Sequence, residues 1–442
     1  MMKTKMRQLW ITLRSSFWFL PTLMLTGAGM LAAVMLEIDG SFAQPLTERY
    51  PRILEATPEG ARSILSGIAS SMINIAGVTF SITVVALSLA SGQYTSRALR
   101  NFMRDRVNQV VLGVFVSVFV YCLIVLRNIR QEEGAYVPSL SLLVGIALGI
   151  TGIVFLVFFI HHVATSIQAS TIISNIGKET LTVLDDLYPE EYEGTEEDPE
   201  ECQKWIAAHQ WTPIPGRETG YIQAVDQEGL ITWADKKGCV LRSIVRIGEF
   251  VIEGKPILGI FGKAAEPGDV RLLNRYFSVA PFRTIEQDPA FGIRQLVDIS
   301  LKALSPGVND TTTAVTCLHY MGAILERISS RKIPSDLCRR GDEVRLVARG
   351  YSYRVFVDQA LHQIRQEAKG NVAVHLALLD AIEAAIRPCM SHEMRKALNS
   401  HLDHLKNVIE EHIHDSGDRE VLTTRLTRLL DLHRVPPPEH ST

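Results

Sequence analysis

The sequence predicts an α-helical membrane domain of four transmembrane helices joined to a cytoplasmic α+β region, a small β-domain followed by a helical bundle. Three observations predict it. The 442 residues carry 45 Lys and Arg and 48 Asp and Glu, yet Ser15–Leu36, Ser63–Ser96, Val107–Leu126 and Gly134–Ile160 carry none of them. Each of these windows holds the roughly 20 apolar residues that a helix needs to cross the hydrocarbon core, while the rest of the chain has an ordinary soluble charge density. After about residue 211 the long apolar runs give way to short β-rich runs and then to amphipathic helical periods. A wholly soluble globule and a disordered chain are both excluded.

The membrane domain covers 1–162. Its first span, 17–36, follows Lys3, Lys5, Arg7 and Arg14 as a signal peptide would. It is long, however, carries Trp18 and Pro21, and reaches Leu36 without a cleavage site, so it reads as a retained span. The other spans fall at about 64–90, 107–126 and 138–160. Lys and Arg concentrate in the N-terminal tail and in the loop bearing Arg97, Arg100, Arg104 and Arg106. The positive-inside bias therefore sets the N terminus and everything after His161 in the cytoplasm. Six cysteines without a CxxC pair give neither a disulfide framework nor a zinc signature.

Span two carries the most informative pattern. Ser63, Gly67, Ser70, Asn74, Gly77, Ser81, Val84 and Ser88 alternate steps of four and three, which places them along one helix face. All but Val84 are small or polar, whereas Ile73, Val78, Phe80, Ile82 and Val85 occupy other faces. Two readings compete. The stripe is either a seam where helix backbones approach closely or the wall of a hydrated path in a homo-oligomer, with Asn74 its most polar point. Span four repeats small residues at Ser141, Gly145 and Gly149, which favours close helix contacts within or between subunits.

Residues 163–188 continue the helical period, with Ile173, Ile176, Leu184 and Leu187 on one side, and read as a helical stalk. The acid-rich 189–210 is a solvated linker and carries no nucleic-acid signal. From 211 to 282, the runs Gly220–Val225, Leu230–Trp233, Cys239–Ile244, Phe250–Ile252 and Ile257–Phe261 read as strands of the small β-domain. The helical domain, 283–432, opens at Asp288-Pro289, an N-cap with proline at the first helical position. Ser305-Pro306-Gly307 breaks that helix, and Asn309 or Asp310 caps the next. The functional alternative to these caps is a polar pocket of Arg283, Gln287, Asp288, Arg294, Asn309 and Asp310, whose arginines and helix N-termini favour an anion. His392, His401, His404, His412 and His414 enrich a later helix without a metal-ligand pattern and read as solvated. Residues 433–442 form a tail.

Several of these stretches resemble one bacterial group of membrane proteins, the domain of unknown function 2254. They are Phe80-Ser-Ile-Thr, Leu87-Ser-Leu-Ala-Ser, Arg97-Ala-Leu-Arg-Asn-Phe-Met-Arg-Asp-Arg, Gln287-Asp-Pro-Ala-Phe-Gly-Ile-Arg and Ala303-Leu-Ser-Pro-Gly-Val-Asn-Asp. Gly92-Gln-Tyr-Thr-Ser and Asn309-Asp310-Thr311 depart from that group, which often has proline at the last position of each. The resemblance implies an integral protein of the bacterial inner membrane and supplies no activity. No Walker A loop, Rossmann fingerprint, HExxH or nucleophile elbow occurs, so no enzyme, catalytic residue, metal or cofactor is expected. The expected function is a homo-oligomer in the lipid bilayer that forms or gates an ion or solute path through span two. The alternative is a membrane-anchored scaffold or sensor whose cytoplasmic domain binds a ligand or protein partner.

Overall fold

The computed structural model describes residues 18–49, 57–93, 106–130, 136–188, 205–263, 266–389 and 391–434. The basic N-terminal tail, the loop bearing Arg97, Arg100 and Arg104, most of the acidic linker and the C-terminal tail lie outside the described residues. The chain divides into two compact units, Met1–Thr171 and Ile172–Thr442.

The first unit consists of α1 (Phe19–Arg49), α2 (Pro58–Gln93), α3 (Arg106–Arg127) and α4 (Ser139–Ser166). Each contains a segment long and apolar enough to cross a membrane. The other three helices pack on α3, which buries Phe115, Val118, Tyr121, Cys122 and Val125. The glycines of α4 are where α2 comes close. A Cβ added at Gly145 would lie 2.9 Å from Leu65, at Gly149 3.2 Å from Ile68, and at Gly152 2.7 Å from Met72. The contact motif of span four is therefore used inside the chain.

The N terminus of α4 begins after Pro138 and has no side-chain cap of its own. Asp39 of α1, 2% exposed, supplies one. Its carboxylate accepts from the backbone N–H of Leu140 at 2.9 Å and of Ser141 at 2.8 Å, and from Ser141 Oγ at 2.5 Å. Tyr121 Oη donates to Ser141 O at 3.0 Å. An acidic side chain inside an apolar bundle is thus satisfied by the orphan donors of a helix terminus.

In the second unit, β1 (Thr212–Pro215), β2 (Gly220–Val225), α6 (Gln227–Lys237), β3 (Val240–Ser243), β4 (Phe250–Val251), β5 (Pro256–Phe261), α7 (Pro267–Leu273) and β6 (Phe277–Ala280) follow α5 (Ala169–Leu187). Next come α8 (Pro289–Leu304), α9 (Thr311–Ser329), β7 (Leu337–Arg340), β8 (Glu343–Val347), α10 (Tyr353–Ala368), α11 (Val372–Ile386), α12 (His392–His412) and α13 (Ser416–Arg434). One sheet has the order β1-β5-β3-β8-β7 and the other β4-β2-β6. Their core gathers Ile222, Leu230, Trp233, Leu241, Leu258, Ile260 and Leu346.

Three features differ from the expected layout. The run Leu230–Trp233 is helical, not extended. Asp226 Oδ1 accepts from Gly229 N at 2.9 Å as N-cap of α6, and Gly238 closes its other end at φ 63°. These caps outweigh the β-propensity of Ile231, Thr232 and Trp233. The hairpin β7–β8 lies within the stretch read as helical and joins the larger sheet through a parallel β3–β8 pair. The stalk is the third difference. Helix α4 ends at Ser166 with Ile167 as its C-cap, and α5 starts at Ala169. α5 buries Ile173, Ile176, Thr180, Val183 and Leu184. A Cβ at Gly177 would overlap Tyr320 of α9, and one at Gly292 of α8 would overlap Thr180. Asp185 also meets Arg327 at 2.5 Å and Arg331 at 2.8 Å. α5 is a packed helix of the second unit.

Candidate functional site

Ser63, Gly67, Ser70, Asn74, Gly77, Ser81 and Ser88 all lie exposed on α2, together with Val84. The buried face of the same helix is Ala61, Leu65, Ala69, Met72, Ala76, Thr79 and Ala86. A Cβ at Gly67 or Gly77 would meet nothing within 4 Å, so no neighbour within the described residues requires glycine there. Ser81 Oγ donates back to Gly77 O at 3.0 Å, which satisfies its hydroxyl within the helix. Exposed Ile73, Val78, Phe80 and Val85 flank the stripe. The helix therefore offers three surfaces: one packed on its own chain, apolar flanks suited to lipid, and a polar strip between them.

The six residues of the expected polar pocket do not share one cavity. Arg283 Nε and Nη2 each lie 2.8 Å from Asp288 Oδ2. Asp288 Oδ1 accepts from Phe291 N at 3.2 Å and caps α8. Burial raises the Asp288 pKa above the ordinary carboxylate value, with the Arg283 charge acting in the opposite direction. Tyr351 lies beside the pair, its Oη 3.3 Å from Arg283 Nη2, and donates to Ile247 O at 2.8 Å. Burial pushes its phenol up to about 12. Gly248, at φ 82°, closes the site, because a Cβ there would overlap Asp288 Oδ2 and lie 2.7 Å from Arg283 Nη2.

The remaining members are elsewhere. Gln287 Oε1 accepts from Val225 N at 3.1 Å. Arg294 spans Asp298 and Gln363, at 2.6 Å from each. Asn309, at φ 50°, and Asp310 follow the far end of α8. The 16 residues of that helix separate them from Asp288 by about 24 Å at 1.5 Å per residue. Asp310 caps α9 through Thr313 N at 3.0 Å and Thr313 Oγ1 at 2.6 Å, and these bonds lower its pKa.

A family model described as a predicted membrane protein (DUF2254) matches residues 14–384. The chain belongs to that family. This DUF2254 chain is 28% identical to uncharacterized proteins of Mycobacterium tuberculosis and Mycobacterium bovis, over 96% of this chain and 82% of each relative. No solved structure matches it.

In this DUF2254 protein, sequence reasoning passed over a cleft of about 580 Å³ formed by α8, α10 and α12. Arg294, Arg354, Asp358, His362, His401 and His404 line it. His401, read from sequence as solvated, is 2% exposed and bonded through Nε2 to Asp358 Oδ1 at 2.8 Å. Burial lowers its pKa below the ordinary histidine value, with the bond to Asp358 opposing. The spacing of His401 and His404 signals a shared face, but Asp358 lies 43 residues away from His401 in sequence. Among the described residues no group of His, Cys, Asp and Glu is arranged to hold a metal ion.

Proposed function

We propose that copies of this protein associate in the bacterial inner membrane, with the N terminus and the second unit in the cytoplasm. In this reading the polar strips of α2 come together to form or gate a path for an ion or solute. The observation that supports it is the outward placement of the whole stripe from Ser63 to Ser88. An amide facing hydrocarbon without a hydrogen bond costs roughly 2–7 kcal/mol. A helix–helix hydrogen bond in lipid contributes about 1–2 kcal/mol. A face bearing Asn74 and four serines is therefore better placed against another α2 or against water than against lipid tails. Gly67 and Gly77 leave room for that approach, and the Lys and Arg of the N-terminal tail and second loop favour the stated orientation.

The test is reconstitution of the full chain in liposomes, with ion flux measured under voltage, tension and osmotic shock. Wild type is compared with Asn74→Leu and Ser81→Leu at matched subunit number. The expected result is flux that both substitutions reduce. Absence of flux under all three stimuli overturns the path, and flux insensitive to both variants removes it from α2. A monomer in native mass spectrometry overturns the association.

A further inference from the structure

The cleft of α8, α10 and α12 has chemistry of its own. At about 580 Å³ it falls within the range of small-molecule sites. Its walls are rich in hydrogen-bond donors: Arg294 from α8, Arg354 and His362 from α10, Ser400 and His404 from α12. Asp358 is the one carboxylate that lines it, and that group is already engaged, with Oδ1 2.8 Å from His401 Nε2 and Oδ2 3.6 Å from Arg354 Nε. Arg294 is held between Asp298 and Gln363, which fixes the plane of its guanidinium.

The side chains behind this surface are incompletely paired. Arg365, on α10, is 5% exposed. Its Nη2 lies 3.2 Å from His362 Nδ1, while Nε and Nη1 are buried without a hydrogen-bond partner among the described residues. His401 Nδ1 is also buried and unpartnered. Arg365 does not itself line the cleft; the Asp358 carboxylate acts on its charge, and Arg365 bears on the cleft through His362. The Arg365 bond also fixes a tautomer. Because Arg365 donates to Nδ1, neutral His362 carries its proton on Nε2 and is a donor at the cleft.

We propose that this cleft binds a small organic phosphate. The donor set exceeds what the two oxygens of a carboxylate accept and suits the three terminal oxygens of a phosphate ester. The volume exceeds that of orthophosphate, and Val355, Gln359 and Ser400 complete a mixed wall for an organic moiety. A soluble phosphate monoester and the monoester headgroup of a phosphatidic acid share this chemistry. The site lies wholly within the second unit and stands independently of the path through α2.

The experiment is calorimetric titration of the full chain in detergent with orthophosphate, glycerol 3-phosphate and, as neutral control, glycerol. A short-chain phosphatidic acid below its micellar concentration forms a further arm. Arg294→Gln and Arg354→Gln are compared with Arg428→Gln, an exposed arginine outside the cleft. Arg354 has a side chain 61% exposed, so its loss leaves folding intact even where Arg294→Gln does not. The expected result is saturable binding of glycerol 3-phosphate, none of glycerol, and affinity at least about tenfold lower in both cleft variants, since a hydrogen bond to a charged group is worth about 1.5–3 kcal/mol. Competition by the lipid assigns the source to a headgroup, and its failure to compete assigns a soluble ester; either supports the site. No saturable phosphate binding, or equal affinity in wild type and Arg354→Gln, overturns it.

Discussion

Gly248 and Gly254 form a matched pair for measuring what the buried Arg283–Asp288 contact demands of its surroundings. Both adopt left-handed backbone, at φ 82° and 80°. Alanine at either position therefore carries backbone strain of about 1–2 kcal/mol, and both substitutions reduce unfolded-state entropy alike. They differ in what the new methyl meets. At Gly254 there is nothing within 4 Å, whereas at Gly248 the methyl overlaps Asp288 Oδ2 and lies 2.8 Å from Arg283 Nε. Asp288 is 1% exposed and cannot swing into solvent. Breaking a buried pair by losing one partner costs about 3–5 kcal/mol, which is an upper bound here because both charges remain. Gly254→Ala should thus lose about 1–2 kcal/mol and Gly248→Ala more, up to about 4–7 kcal/mol when that bound is added to the common strain. Urea unfolding of the detergent-solubilised full chain, followed by the fluorescence of Trp205, Trp211 and Trp233, reads the difference. Equal midpoint shifts in the two variants would refute the reasoning, because the strain common to both would then be the whole effect.

His375 and His401 are buried with pKa values lowered chiefly by desolvation. The unfolded chain takes up their protons near pH 6.5 while the folded chain does not, so stability falls as pH drops below about 6.5, at up to about 1.4 kcal/mol per pH unit for each histidine. Urea midpoints across that range should show the slope, and His375→Gln should remove about half of it, the rest staying with His401. Asp39→Ala removes the cap of α4 and should lower the stability of the first unit by about 0.5–2 kcal/mol, read from helicity lost on heating in detergent; an unchanged midpoint would dismiss the cap. Gly152→Leu should disrupt the α2–α4 contact and destabilise the first unit, whereas Gly77→Leu should leave its melting unchanged and reduce crosslinking between copies.

Sequence made the four spans legible because length and absence of charge are sufficient signals in themselves. The β-region was less legible, for reasons that particular residues explain. Ile231, Thr232 and Trp233 favour a strand locally, while the decisive cues were Asp226 and Gly238 at the two ends of α6. The hairpin Leu337–Val347 lies in the stretch expected to be helical, and it is the seating of β8 beside β3 that makes Leu346 a core residue. The expected pocket failed on distance. Asp288 is a cap as expected, and of the two candidates Asn309 and Asp310 it is Asp310 that caps the next helix, but a full helix separates the two capped ends.

Helical periodicity assigns a residue to a face without saying what that face meets, and the two small-residue patterns of the membrane unit show how much this matters. Gly145 and Gly149 on α4 and Gly67 and Gly77 on α2 follow the same rule of helical spacing. The first two admit no larger side chain without moving Leu65 or Ile68, so the fold of the single chain accounts for them. Among the described residues nothing lies within 4 Å of a Cβ at the second two, so none of those neighbours requires glycine there. The same division separates the two polar groups of the second unit. Arg283 and Asp288 complete each other and leave little for a ligand to supply. Arg365 and His401 retain buried nitrogens without a hydrogen-bond partner among the described residues. The α2 strip and the cleft beside α10 are therefore the two places where the proposed association and the proposed ligand are to be sought.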